Sequence, residues 1–468
     1  MTRGVIVMVR RRLTFLVLLA IVLGLVVVPR ASATGPATRY EGELEGARYL
    51  VLVPENWNGT LMLWSHGMYS LAYPEPERIA LTSQPTTESY LLEQGYALAA
   101  SQYRTVRGWS IEEALTDQIR LHDWFSRTVG PPRRTIAAGE SIGAITATLL
   151  AERNPRRFAG LMTFCGNLAG GAAHWNSGLD LGYALNTLLD ARLDLVRIAD
   201  PAANAGRFTD VVRAATANPQ GQARLALANA LAEIPGWFDA TRPRPTAVAD
   251  QVFWQGVWDR FYRVSAFGVD RVALEQRAGG NPSWNVGVDY RRILAKAGER
   301  PLVERAYSEA GLDLAADLEK LAKAPRVAPD PAAAGYLARF GLPLGRTPVP
   351  VLTMHTVADG TAPAAHERAY AERVALAGDR DDLRQLFVNR AGHCVFTASE
   401  EITALRTLER RLNAGQWPSS APAALNSEAG GLAPEHQTIF DAVGEARVTT
   451  TPAFARHSPP PYPRVLPF

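Results

Sequence analysis

Residues 135–150 read TIAAGESIGAITATLL, and their interpretation decides the fold. Thr135–Ala138 is a short apolar run of strand type, and Ile142 onward has helical composition. Between them lies Gly139-Glu140-Ser141-Ile142-Gly143. A serine between two glycines at a strand-to-helix turn is what a nucleophile on a sharp, strained turn requires: the glycines permit the turn and the close approach of helix to strand. The same residues also suit a plain structural turn. The rest of the chain must therefore supply a base, an acid and oxyanion donors in the right order of elements.

Upstream, TLMLWSHG (60–67) is an apolar run ending in Ser-His-Gly, consistent with a buried strand. TESYLLEQG (87–95) fits a short helix, and YALAASQY (96–103) the next strand. SIEEALTDQIRLHDWFSRTVG (110–130) predicts a helix opened by Ser110 with Glu113 as a capping box. FAGLMTFCG (158–166) is a further strand, and the pattern resumes with VPVLTMHT (349–356), a helix near 364–377, LRQLFVN (383–389) and a helix near 398–413. Strands alternating with helices imply a doubly wound, mostly parallel sheet covered on both faces.

In such a sheet chemistry gathers at the carboxyl ends of strands. His393, in NRAGHCVFT, follows the last predicted strand and is the candidate base; a capping or packing histidine is the alternative. Asp359, in VLTMHTVADGTAP, lies just beyond the penultimate strand and is the candidate acid, whose task is to hold the imidazole tautomer. His355 and His66 read as residues that pack or line their loops. The order Ser, Asp, His follows.

Taken together, the HG loop, GESIG, VLTMHTVADGTAP and GHC resemble a secreted bacterial α/β-hydrolase-fold serine hydrolase of esterase or lipase type. The resemblance covers about residues 40–166 and 346–415. It implies an oxyanion hole from the backbone N–H groups of Met68 and Ile142. In that sheet Cys165 ends the strand beside the nucleophile strand and Cys394 follows the base, so a Cys165–Cys394 disulfide is expected, with two unpaired buried cysteines as the alternative. The His-Cys pair also resembles tannases and feruloyl esterases, in which a second cysteine precedes the serine; here that position is Glu140.

The chain has 468 residues, 47% of them hydrophobic and 20% charged, which suits a globular protein with a sizeable core. Residues 1–33 combine Arg3 and Arg10–Arg12, an apolar run from Leu13 to Val28 and Ala31-Ser32-Ala33, so a cleaved signal peptide and secretion are expected. A retained membrane anchor is the alternative. Without that segment's five arginines the chain keeps 44 basic and 46 acidic residues, a net charge of −2, and a nucleic-acid partner is not expected. Nor is a membrane span after cleavage.

Residues 34–166 and 346–416 are assigned to the hydrolase core, 167–345 to a large, mainly helical cap insertion, and 417–468 to a Pro-rich C-terminal tail that is extended over the surface or partly disordered. FWQGVWDRFY (253–262) reads mainly as the packing of a cap helix, and 279–290 as a polar segment able to reach over the cleft. HExxH, Cys-x-x-Cys, P-loop and dinucleotide motifs are missing, so neither cofactor nor metal is expected. The expected activity is hydrolysis of a small-molecule or polymeric carboxylic ester through an acyl-enzyme. Two alternatives stand beside it: an exported serine peptidase with the same triad, and a non-catalytic binding protein of the same fold.

Overall fold

The computed structural model describes residues 37–464. The predicted signal peptide, residues 1–33, lies outside them. The sheet opens with β1 (Thr38–Leu44) and β2 (Ala47–Val53), an antiparallel hairpin. Its two-residue turn, Glu45-Gly46, has positive φ at both positions (50° and 86°), which matches the right-handed twist of paired strands. Then follow β3 (Thr60–Ser65), β4 (Ala97–Ser101), β5 (Arg134–Glu140), β6 (Gly160–Phe164), β7 (Val351–Ala358) and β8 (Leu383–Ala391).

The order across the sheet is β1-β2-β4-β3-β5-β6-β7-β8, and every pairing from β4 to β8 is parallel. This is the α/β-hydrolase fold. Leu61 and Leu63 face one side while Met62 and Trp64 face the other, and each set joins a separate buried cluster. Both faces are covered, which is why these strands are apolar throughout and do not alternate. The chain leaves β3 toward β4 on one side and returns to β5 on the other. The carboxyl ends of β3 and β5 therefore flank a crevice at a topological switch point.

Helices α1 (Pro85–Glu93), α2 (Ile111–Thr128) and α3 (Ile142–Arg153) fill the first crossovers. Ser110 does precede α2, but its side chain makes no capping bond, and Glu113 instead pairs with Arg277 at 2.6 Å. The expected capping box there is not formed. One exists at Thr397 and Glu400, before the last core helix.

Between β6 and β7 the described chain is helical: α4 (Gly171–Leu189), α5 (Pro201–Thr216), α6 (Pro219–Leu231), α7 (Val248–Val264), α8 (Val269–Ala278), α9 (Tyr290–Lys296), α10 (Arg300–Ala310), α11 (Leu314–Lys323) and α12 (Pro331–Gly341). These helices share a core of their own, with Leu185, Phe208, Leu227, Trp258, Phe267, Val303 and Leu321 buried together. Helices α13 (Ala365–Ala377) and α14 (Ala398–Ala414) complete the sheet's cover. Among the described residues no helix is long and apolar enough to cross a membrane.

The end of the chain is more structured than its composition suggests. Residues 417–464 contain α15 (Pro422–Gly430), a hairpin of β9 (Thr438–Asp441) and β10 (Ala446–Thr449), and β11 (Phe454–Ala455), which adds antiparallel to β8. Proline is compatible with this layout: Pro422 sits in the first turn of α15, where a missing N–H is harmless. Beyond β11 the chain reaches α4, where Arg464 pairs in a fork with Asp180 (2.7 and 2.8 Å) and the Tyr462 hydroxyl donates to the Ala173 carbonyl (3.1 Å).

Candidate active site

Ser141 sits between β5 and α3 with φ 53° and ψ −124°, a region that non-glycine residues rarely occupy. The surrounding packing explains why the turn holds. A Cβ at Gly139 would lie 2.3 Å from the Gly143 carbonyl oxygen, and one at Gly143 would lie 2.1 Å from that of Ser65. Only glycine fits at either place, so α3 can press against β5 and the end of β3. The Ser141 N–H donates to the Phe164 carbonyl at 3.0 Å, which ties the turn to β6.

His393, from the loop after β8, places Nε2 2.9 Å from Ser141 Oγ. Its Nδ1 lies 2.7 Å from Asp359 Oδ2. The other carboxylate oxygen, Oδ1, accepts from the backbone N–H groups of Thr361 (2.8 Å) and Ala362 (2.9 Å), so the carboxylate cannot rotate. The three side chains singled out in the sequence thus form one hydrogen-bonded line.

The His393 loop is held on both sides. Before it, the Gly392 N–H donates to the Ala358 carbonyl (2.9 Å), and Thr356 Oγ1 donates to the Gly392 carbonyl (2.7 Å). After it, Cys394 is bonded to Cys165, with Cα atoms 5.2 Å apart. Cys165 and Cys394 both have positive φ (43° and 57°), as does Gly392 (110°). Cys165, His393 and Cys394 group within 4.8 Å, but the joined sulfurs are not thiolate ligands.

The expected oxyanion donors flank the serine. Ile142 begins α3, so its N–H has no partner within the helix. A Cβ at Gly67 would lie 3.2 Å from Ser141 Cβ, which brings the peptide leading to Met68 alongside the serine. His66 itself is buried, stacked between Tyr69 and Tyr103 with ring centroids at 4.5 and 4.2 Å. Burial pushes its pKa down to about 4, in keeping with a packing role. Burial likewise lowers His174 to about 4, with His393 adding to the effect. Glu140, beside the serine, has its carboxyl pKa raised by burial, while His393 opposes the rise.

A cavity of about 310 Å³ opens beside His393. Phe238, Trp258 and Phe261 line it from the helical insertion, and Phe440, Val443 and Arg447 from the β9–β10 hairpin. The sequence reading found the aromatic run of α7 but missed the hairpin, whose residues carry no local signal of a site. Trp258 is both cap core and cavity wall: it is 1% exposed. The segment 279–290 does not line this cavity. Asn281 and Ser283 instead bind Arg271 within the helical layer, at 2.6 and 2.8 Å.

No protein-family model matches the chain. It is 29% identical to the o-phthalyl amidase of Xanthobacter agilis over 421 residues, covering 82% of this chain and 89% of that one. Among solved structures it is similar to Candida antarctica lipase A, with 13% identity, 82% of this chain and 78% of that chain covered, and a TM-score of 0.35. The values for a thermostable carboxyl esterase from Bacillus coagulans are 11%, 81%, 98% and 0.37. For the acylaminoacyl peptidase of Pyrococcus horikoshii they are 9%, 77%, 38% and 0.35, so the chain spans well under half of that peptidase's length. The sheet order and the turn at Ser141 are those of the α/β-hydrolase fold, and over most of its length the chain is similar to an amidase.

Proposed function

We propose that this protein is an exported serine hydrolase that cleaves a carboxylic ester through an acyl-enzyme. The observation that carries the reading is the continuous line Ser141 Oγ, His393, Asp359, with contacts of 2.9 and 2.7 Å. His393 takes the hydroxyl proton as Ser141 attacks the carbonyl carbon. Asp359 holds the Nδ1 proton and stabilises the imidazolium that forms. The Met68 and Ile142 N–H groups receive the developing oxyanion. His393 then returns the proton to the leaving group and activates the water that frees the acid. The aromatic cavity beside His393 would take the bulky part of the substrate.

Amide cleavage is the second reading, favoured by the likeness to o-phthalyl amidase. The chemistry differs only in the leaving group, which His393 would have to protonate before the C–N bond breaks. Export is supported by the sequence of residues 1–33 and by the Cys165–Cys394 bridge, since such bonds persist in oxidising compartments.

A panel of p-nitrophenyl esters, aryl amides and a phthalyl amide, run with wild type and Ser141→Ala, tests the activity. Turnover of esters that Ser141→Ala abolishes is expected. Ester turnover untouched by Ser141→Ala would remove the serine from the chemistry, and turnover of amides alone would replace ester by amide. N-terminal sequencing of culture-medium protein, expected to begin at Thr34, tests export.

A further inference from the structure

Beside Asp359 lies a second pair of ionisable groups. His355 is on β7, four residues before Asp359, and Glu367 is on α13. Both side chains are buried. His355 Nδ1 is 3.1 Å from Glu367 Oε1, and His355 Nε2 is 2.7 Å from the Ala362 carbonyl oxygen. Each ring nitrogen therefore faces an oxygen: the Ala362 carbonyl can only accept, and Glu367 Oε1 can only accept while Glu367 is ionised. A neutral imidazole has one N–H and would leave a lone pair pointing at one of these oxygens; an imidazolium satisfies both. Glu367 is served as a carboxylate should be: its Oε2 accepts from Thr353 Oγ1 (2.5 Å) and Gln385 Nε2 (2.6 Å).

From these contacts we infer that His355 and Glu367 are a buried ion pair that serves as a positioning unit for Asp359 and sets the pH at which His393 becomes a base. The inference rests on the Ser141–His393–Asp359 reading above. His355 Nε2 lies 3.7 Å from Asp359 Oδ2, the same oxygen that faces His393 at 2.7 Å. Ala362 ties the unit together, since its carbonyl accepts from His355 and its N–H donates to Asp359 Oδ1. Two imidazoles thereby approach the same oxygen of the Asp359 carboxylate, His393 within hydrogen-bond distance and His355 within reach of its charge. A cation at His355 opposes a second positive charge on His393 and so favours the neutral base.

Other charged and titratable groups face this cluster. Burial lowers the His355 pKa, while Glu367, with Asp359 and the Ala362 carbonyl adding to it, acts the other way, and the net result is a raised pKa. His366, on α13, and His457, in the C-terminal segment, both have pKa values lowered by burial, with the His355 charge as a further cause. Glu140 and His174 lie near enough to His393 to interact with it through space, and His174 also feels the Asp359 charge. Of these histidines, His355 alone has a buried carboxylate partner of its own beside Asp359, so it is the one placed to carry the charge.

The test is the rate of Ser141 labelling by a fluorophosphonate probe as a function of pH, in wild type, His355→Gln and Glu367→Gln. The wild type should show an acid limb where His393 gains its proton. Removing the cation in His355→Gln should move that limb to higher pH by about one unit, a tenfold change in the protonation balance. Glu367→Gln should move it the same way by less, because it removes the more distant anion along with the cation. Should His355→Gln fail to fold, as judged by circular dichroism, the nearly isosteric Glu367→Gln carries the test. A wild-type acid limb that both folded variants leave in place would overturn the inference and leave the triad reading intact. Absence of Ser141 labelling in wild type at any pH would overturn both. A merely structural role for His355 would lower the rate at every pH without moving the limb.

Discussion

Opening the Cys165–Cys394 bridge, by dithiothreitol followed by alkylation or by Cys394→Ser, should weaken the fold and the site in separable ways. The two cysteines are 229 residues apart. In the chain-entropy model a loop of that length restricts the unfolded chain by about 5 kcal/mol, an upper value, since measured bridges give roughly 2–5 kcal/mol. That part acts on the unfolded state and should appear as a lower urea midpoint.

The second effect belongs to the native state. His393 lies between Gly392 and Cys394, both at positive φ (110° and 57°). Upstream, the hydrogen bonds from Gly392 to Ala358 and from Thr356 to Gly392 survive reduction. Downstream, the direct tether of the loop to the end of β6 is lost. A base displaced by about 1 Å can lower a rate by as much as ~100-fold. Ester turnover, measured at a urea-free temperature where circular dichroism shows both forms folded, should therefore fall by roughly tenfold or more. Equal midpoints for bridged and opened protein would refute the entropic part. A lowered midpoint with unchanged turnover would show that the hydrogen bonds alone position His393.

Three further outcomes are expected. Arg464→Gln leaves Asp180 buried with the Tyr290 hydroxyl as its one remaining donor of the set described, and should cost about 3–5 kcal/mol by urea unfolding, partly recovered in Asp180→Asn/Arg464→Gln; an unchanged midpoint would mean that the chain end does not brace α4. Gly143→Ala puts a Cβ against the backbone oxygens of Ser65 and His66 (2.1 and 2.5 Å), so soluble yield and Ser141 labelling should both collapse, and a well-folded, labelled variant would contradict the described turn. Asp259 is pushed up to about 8 by burial, so the unfolded chain releases its proton first and stability should fall as pH rises from about 4 to about 8; Asp259→Asn should remove that part of the slope, by about 5 kcal/mol at most, while Glu233 and Glu401 keep theirs.

What the sequence made legible followed from strict local demands. A strand that must end in a strained residue and restart as a helix needs glycines at Gly139 and Gly143, and both are required by backbone oxygens of the structure. Asp359 and His393 were found because a parallel sheet puts successive loops at one edge. The bridge between Cys165 and Cys394 was open to inference once that edge was assumed. The role of Pro422–Arg464 was hidden because its contacts are remote: Arg464 meets Asp180 across 284 positions, and a Pro-rich composition describes the linkers between such anchors, not the anchors themselves. His355 was read as a loop residue for the same reason. A single histidine at a strand end shows nothing of the carboxylate that α13 brings against it.

These cases share a physical pattern that bears on the site. Ser141, Gly392 and Cys394 all hold positive φ within one small region; glycine adopts it freely, whereas Ser141 and Cys394 need the surrounding structure to hold it. The three parts of the site are each held by separate contacts: the elbow by backbone packing on β3, the His393 loop by the bridge to the end of β6, and Asp359 by the N–H groups of Thr361 and Ala362 in its own loop. Helix α7 adds a further constraint on the acid. The Tyr262 hydroxyl donates to the Gly360 carbonyl at 2.9 Å, and the Trp258 ring lies where a Gly360 side chain would be. The helical insertion is therefore coupled to the acid loop itself, beyond covering the cleft.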